Sequence, residues 1–438
     1  MKKLYIADIL VNTNGQQVEI LGWVKSIREH GGVVFFDLID STGEIQIVAN
    51  KSTQYILPSN LVISPESSVK IKGVVKQQDG KTSKEIDASE IELIGLASLD
   101  ISPRPRTNFD IFSPALADYN LHKRHLVLRN EKMMATLKFR HIFFKIVHDW
   151  FREQSFIEIH APVLTQIPLY EESSAFKVDF FGTKVFLTQC VAFYLESAVH
   201  AFEKVYNLGP SFRAEKSRGK RHLAEYWHVK AEIAFADLED IMHFVESMTA
   251  YISSRIAIDA KKELEFLGVS IDTASITNIP YPRITYDEAI AKLKDKGFGV
   301  EWGKSLGNDE ETSLSEEYTT PFWITGLPRS IEPFPYAISP SNINVTKTAD
   351  LIAPSGFGEL LGVAEKIWQP EELAERMKEK GRDGDNALKW YSELRQYGSV
   401  PHSGLGMGAE RFMRWLLQLG HVRDVIPFPR MFRRPPYP

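Results

Sequence analysis

The chain has 438 residues, 43% hydrophobic and 25% charged, and a formal charge of −5. That length suits two or three domains, and the mild acidity excludes non-specific coating of nucleic acid while leaving room for a local basic surface. One cysteine, Cys190, excludes an internal disulfide framework; the polar start MKKLYIADIL is too short for a signal peptide and no apolar run reaches membrane length, so a cytoplasmic protein with no membrane partner is expected.

Residues 1–102 alternate short β-type runs with turn signals. The runs are VEILGWVKSI, VVFFDLID, IQIVAN, VKIKGVVKQ and EIELIGLAS, separated by GG, STG and QDGK. Five such strands suit a small barrel of the OB type, a frequent binder of single-stranded nucleic acid. Trp23, Phe35 and Phe36 are candidates for base stacking. Strand alternation turns one of Phe35 and Phe36 inward, so a plain core role stays open for either.

Residues 103–125 open on PRPR and read as a hinge, because proline fixes φ and removes donors. A long amphipathic helix follows, with Leu137, Ile142, Phe143, Ile146 and Trp150 at three- and four-residue spacing. FIEIHAPVLT then reads as a strand broken at Pro162. Residues 236–290 are helical in pattern and look like an insertion in a second domain spanning 126–438.

The stretch from Ser211 to Phe235 reads SFRAEKSRGKRHLAEYWHVKAEIAF. Apolar ends flank a loop carrying Arg213, Lys216, Arg218, Lys220, Arg221 and His222, with a turn at Ser217 and Gly219. Two antiparallel strands joined by such a loop can hold a polyphosphate: arginine forks grip phosphate oxygens, and an aromatic face stacks on a base. A solvated charged hairpin fits these residues equally well.

Asp350 and Glu359 sit in DLIAPSGFGE, two carboxylates on neighbouring strands around a turn, able to share a divalent cation. An ordinary solvated pair is the plain alternative. HSGLGMGAER spaces Gly404, Gly406 and Gly408 ahead of a helix, which lets backbone approach a ligand and offers free N–H groups to an anion.

Together these stretches resemble the class II aminoacyl-tRNA synthetases. FRAE…RHLAEY is similar to motif 2, the Pro162 strand to motif 1, and GLGMGAER to motif 3. The RHL form and HVRDVIPFPR point to the aspartyl/asparaginyl subgroup, with ELRQYGSVPHSGLGMG favouring the asparaginyl type. The resemblance implies an α+β protein: an N-terminal OB-fold anticodon-binding barrel plus a catalytic domain with an antiparallel sheet flanked by helices. It implies a ligase that uses ATP and Mg²⁺ to make an aminoacyl-adenylate and passes the amino acid to tRNA, working as a homodimer.

Residue by residue, the resemblance implies that Arg213 holds the α-phosphate and Glu215 the adenine amino group. Arg221 and His222 would face the outer phosphates. Tyr226 would stack on adenine in place of a usual Phe, Arg411 would cover the base's other face and reach the γ-phosphate as a catalytic residue with Arg213, and Leu223 and Gly408 would belong to the ATP site. Asp350 and Glu359 would hold the metal. Glu171, Gln189, Glu196 and Lys366 would hold the amino acid, with Glu171, or else Glu172 beside it, taking its ammonium. Phe35, Gln46 and Arg28 would meet tRNA; Ile39 stands where the family commonly has Arg.

The amino-acid half departs from the family pattern. Val191 and Ala192 replace Gly and Gln. Val363, Ala364 and Glu365 replace Gly, Ser and Gln, and Lys366 replaces the Arg that meets the substrate side chain. Glu332 stands in place of Lys. A paralogue activating a different or non-standard acid for a biosynthetic pathway is therefore the alternative to asparagine activation.

Overall fold

The computed structural model describes residues 4–12, 14–77, 83–98, 103–106, 109–170, 172–217 and 219–437. Two compact units emerge: residues 1–110 with 129–131, and residues 111–128 with 132–438.

The first unit is a closed five-stranded barrel. Strand Gln17–His30 pairs antiparallel with Val33–Ile39 and with Ser68–Gln77. Val33–Ile39 pairs with Glu44–Ala49, and Ser68–Gln77 with Lys84–Gly95. A parallel pairing of Glu44–Ala49 with Lys84–Gly95 closes it, the OB topology. Closure needs sharp bends, and Gly73 sits at one: a Cβ there would fall on the carbonyl of Asp87. The core is filled by Ile20, Val24, Leu38, Ile47, Ile71 and Ile86, with Ile6 and Ile9 of helix Ile6–Asn12 added to it. Alternation resolves the aromatic pair: Phe36 is 4% exposed in this core and Phe35 faces outward.

The stretch expected to be a hinge begins tied to this unit. Arg106 is buried in an ion pair with Glu66, and its N–H donates to the same carboxylate at 3.0 Å. Burial of a paired charge fixes the backbone where proline content alone suggested freedom.

The second unit is built on an eight-stranded sheet. Its order is Arg283–Thr285, Phe322–Thr325, Thr348–Ala353, Gly358–Lys366, His402–Gly408, Glu225–Ala234, Lys204–Phe212 and Ile157–Glu158. The expected antiparallel arrangement holds for the six central strands; the short strand at each edge pairs parallel. Pro162 falls between the short strands Ile157–Glu158 and Leu164–Thr165, so the break expected there is present.

Helix Glu131–Glu153 covers the sheet through Phe139, Phe143, Ile146, Val147, Trp150 and Phe151. The buried stripe is turned from the one read in sequence, since Leu137 and Ile142 are only partly buried. Helix Leu238–Asp259 packs beside it. Its Ile241, Met242, Val245, Met248, Ile252 and Ile256 are all fully buried in the main core. The segment read as an insertion thus includes a 22-residue helix whose apolar face is buried in the core, because leaving that face in water would be costly.

Candidate active site

The hairpin around Arg213 folds as its pattern demanded. Strands Lys204–Phe212 and Glu225–Ala234 pair antiparallel, and the basic loop joins them. Arg218 and Glu171 lie outside the described residues. The loop arches over a cavity of about 360 Å³ on one face of the sheet.

Strand register explains the cavity's floor. His228, Lys230 and Glu232 face the cavity on alternate positions, and each pairs across the sheet with a glycine: Gly408, Gly406 and Gly404. A Cβ at Gly404 would fall within the Glu232 carboxylate, and one at Gly406 on the Lys230 ammonium. These two glycines therefore make room for protein side chains, not for close approach of a ligand as the spacing suggested. One strand over, Asp350 lies across Gly362, where a Cβ would stand 2.9 Å from its Oδ1.

Cations gather at one end. The Arg213 guanidinium lies between two rings, 4.8 Å from the centre of Tyr170 and 5.7 Å from that of Tyr226. Its Nη1 is 3.6 Å from Glu215, which also stands 3.7 Å from His222. Burial, then Arg411, lowers the His222 pKa, so this imidazole is neutral at physiological pH. Arg411 pairs with Glu359 at 2.8 Å and its Nε donates to the carbonyl of Arg221 at 3.4 Å. Leu223, packed on Val422, and Gly408 complete this wall. Burial pushes the Asp350 carboxyl well above its usual range, and repulsion from Glu359 adds to it. Two partly exposed, mutually repelling carboxylates are a donor set that a divalent cation would relieve. Among the described residues no three acids or histidines form a metal cluster.

The other end is set by Lys366. Its ammonium is 3.5 Å from Glu232 and 3.9 Å from Glu196, and 4.6 Å from the ring centre of Tyr336. Glu196 stands behind Lys366 instead of on the cavity wall. It is fully buried and accepts from Arg395 at 2.6 Å, from Tyr391 at 2.5 Å, and lies 3.3 Å from His402. Although burial opposes ionisation, Arg395 and His402 hold its carboxyl well below the usual range. Gln189 is also set back: its Oε1 accepts from the Tyr170 N–H at 3.1 Å and its Nε2 donates to Ser174 at 2.9 Å, so it shapes the segment that presents Tyr170. Glu172 pairs with Lys177 and Lys184 away from the cavity.

Three of the seven sequence departures in the amino-acid half, Val191, Ala192 and Glu365, face elsewhere. Val191 packs with Leu195, Val199 and Val205, and Ala192 with Phe193 and Phe334. Val363 borders the cavity but belongs to the main core, and Glu365 pairs with Lys347 at 2.6 Å. Ala364 and Lys366 alone of this group meet the cavity on the facing side of their strand. Tyr170, Lys230, Glu232 and Tyr336 line it without having been singled out; period-two alternation from Tyr226 would have found Lys230 and Glu232.

Glu332 lines the cavity, keeping some solvent contact through it while otherwise enclosed by protein. Burial pushes its carboxyl up to about 7, and Glu359 adds to the rise against Lys380 and Arg376. The folded state therefore holds a proton that the unfolded chain, near 4.5, has lost, and stability falls as pH rises from about 4.5 to 7. Glu332→Gln removes that cost. It should raise the unfolding free energy at pH 8 by up to about 3 kcal/mol, less the screening by cavity water, and hardly at all at pH 4.5. Thermal or urea unfolding of both forms across that range checks the sign.

On the barrel's outer side Phe35 pairs across strands with Arg28 and with Val48, and Asp37 with Gln46. Arg28 donates to Asp37 at 2.9 Å, and Gln46 to Glu85 at 3.4 Å. The three residues share one face of neighbouring strands.

Among the described residues no helix is long and apolar enough to cross a membrane. A family model for class II tRNA synthetases (D, K and N) matches residues 117–432, and one for the OB-fold nucleic acid binding domain matches residues 18–94. The asparagine--tRNA ligase of Thermoplasma acidophilum is 36% identical over 425 residues, 96% of each chain. That of Thermococcus gammatolerans is 37% identical over 432 residues, 98% of each. The structure of asparaginyl-tRNA synthetase from Pyrococcus horikoshii complexed with asparaginyl-adenylate superposes with a TM-score of 0.91 at 36% identity, covering both chains fully. The Entamoeba histolytica synthetase in complex with asparaginyl-adenylate gives 0.85 at 27% identity, covering 100% of this chain and 99% of that one. With the barrel, the sheet and the cation-lined cavity all in the order its motifs required, the chain belongs to the class II tRNA synthetases of the D, K and N group.

Proposed function

We propose that the chain joins asparagine to ATP as an asparaginyl-adenylate and transfers the amino acid to tRNA. The observation that carries the choice of asparagine is the pair at the end of the cavity away from the arginines. Lys366 offers a donor and Glu232 an acceptor whose Oε2 is buried without a hydrogen-bond partner among the described residues. A carboxamide satisfies both, its oxygen accepting from Lys366 and its NH₂ donating to Glu232. A carboxylate in its place would face Glu232 unpaired. The ligase names and the adenylate carried by similar proteins support the same reading.

In the first step a carboxylate oxygen of asparagine attacks the α-phosphorus of ATP, the bond to the bridging oxygen breaks, and pyrophosphate leaves. No protein nucleophile is needed, because the carboxylate is already ionised. The chain's residues position and neutralise charge. Arg213, fixed between Tyr170 and Tyr226, faces the α-phosphate. Glu215 accepts from the adenine amino group, with Tyr226, Leu223 and Gly408 around the base and Arg411 across it. Arg221 and His222 face the departing phosphates. Asp350 and Glu359 would hold Mg²⁺, which when bound supplies charge neutralisation on phosphate oxygens. In the second step a ribose hydroxyl of the tRNA end attacks the acyl carbon and AMP leaves.

The barrel face holding Phe35, Gln46 and Arg28 meets the anticodon in this reading, by stacking and polar contacts. Two copies pair through the segment around Pro162, which light scattering would reveal as a dimer mass.

Amino-acid-dependent ATP–pyrophosphate exchange tests the proposal, run with each of the twenty standard amino acids and magnesium. Exchange with asparagine alone is expected. Exchange with aspartate or another acid would move the substrate. No exchange with any, while ATP still binds, would overturn the reading and turn attention to a non-standard acid.

A further inference from the structure

Helix Asn308–Ser315 stands behind the cavity wall at the phosphate end. Its Glu311 is 6% exposed. One oxygen of that carboxylate, Oε2, does two things at once. It pairs with Nη1 of Arg221, and it accepts the backbone N–H of Glu359 at 2.7 Å. Between these partners lies Gly358, at φ +73°, where a Cβ would fall inside the Arg221 guanidinium and 2.8 Å from the same Glu311 oxygen. The rest of the helix face grips the same turn. Ser315 Oγ accepts from the Gly356 N–H at 2.8 Å, and a Cβ at Gly356 would come 3.1 Å from the Thr312 methyl. Arg221 Nε is buried with no hydrogen-bond partner among the described residues.

We infer that Glu311 is a positioning residue for ATP: it fixes Arg221 against the outer phosphates and ties that arginine to the turn carrying Glu359. The inference rests on the reading above that Arg221 faces the phosphates beyond the α-position. An arginine on four rotatable bonds loses its freedom when it grips a ligand. Clamped beforehand through Nη1, Arg221 has paid that ordering cost in folding and presents its remaining donors to the anion. The shared oxygen also makes the arginine and the metal-side carboxylate strand move as one. Glycine at 358 is required because any side chain would displace the guanidinium.

A purely structural ion pair would change stability and leave nucleotide discrimination untouched. The test is therefore equilibrium binding of Mg·ATP and of AMP to the full chain, without amino acid or tRNA. Glu311→Gln keeps the acceptor for the Glu359 N–H and removes the charge facing Arg221. It should weaken ATP by about tenfold and leave AMP within about twofold, because AMP lacks the phosphates that Arg221 meets. In an Arg221→Lys background the same change should add less than about twofold, since the residue through which Glu311 acts is already altered. Parallel weakening of ATP and AMP, unchanged ATP binding, or full additivity in the double variant would each overturn the inference. Should Glu311→Gln not fold, Glu311→Asp shortens the arm with the charge retained and is read by the same ATP-to-AMP ratio. Failure to exchange pyrophosphate with asparagine leaves this test intact; absence of ATP binding by the unaltered chain would overturn both readings.

Discussion

Arg213→Ala is expected to lower asparagine-dependent pyrophosphate exchange by on the order of 10³-fold while the chain stays folded. Arg213 lies between the rings of Tyr170 and Tyr226, with Tyr170 accepting from Nη2 at 3.4 Å. Its orientation is thus set before ligand arrives, and such fixed charge acts on the transition state without reorganisation. The side chain is about a quarter exposed, so its loss opens the cavity wall without emptying a core. Arg213→Lys should recover only part of the rate, because a point charge replaces a planar fork. Exchange rates, with circular dichroism to confirm folding, decide it. A loss under tenfold would remove Arg213 from the chemistry.

Glu232→Gln should cost about 10²-fold in kcat/KM for asparagine and narrow the preference over aspartate. The substitution keeps volume above Gly404 but replaces an acceptor-only carboxylate with an amide that must also place two donors beside Lys366. Lys366 retains Glu196 at 3.9 Å, so its charge is not stranded and the fold should persist. KM for ATP should not move, since Glu232 lies away from the arginines. Exchange with asparagine and aspartate at saturating ATP measures the ratio. An unchanged ratio would show that the carboxamide sits elsewhere.

The two halves of the cavity were unequally legible in sequence. The family resemblance grouped Arg213, Glu215, Arg221, His222, Tyr226 and Arg411, and all six line the cavity, the first five from one hairpin and the last from the helix after a glycine run. Such a cluster stays together in sequence because it is built from one turn and one helix start. At the end around Lys366 fewer of the residues named from sequence line the cavity. Gln189 and Glu196 stand one layer back, Glu172 faces Lys177 and Lys184, and Val191, Ala192 and Glu365 face away from the cavity. Each sits beside the site in sequence, and whether a side chain enters depends on strand register and helix phase, which neighbours across the sheet set. Glu311 shows the same limit: nothing near it in sequence marks it, and only folding brings helix Asn308–Ser315 against Arg221, ninety positions earlier.

The sequence by itself determined the two-part plan, the barrel's five strands, the basic hairpin and the paired acids Asp350 and Glu359. These follow from alternation, turn residues and local charge, all short-range properties of the chain. Tertiary structure alone decided which side chains share the cavity. It placed Glu232 and Lys230 over glycines of another strand, joined Lys366 to Glu232 with Glu196 behind it, and buried the apolar face of the 238–259 helix in the core. The physical reason is that burial and charge compensation are properties of neighbours in space. A buried carboxylate persists only beside its cation, and the chain brings such partners together from positions more than a hundred residues apart.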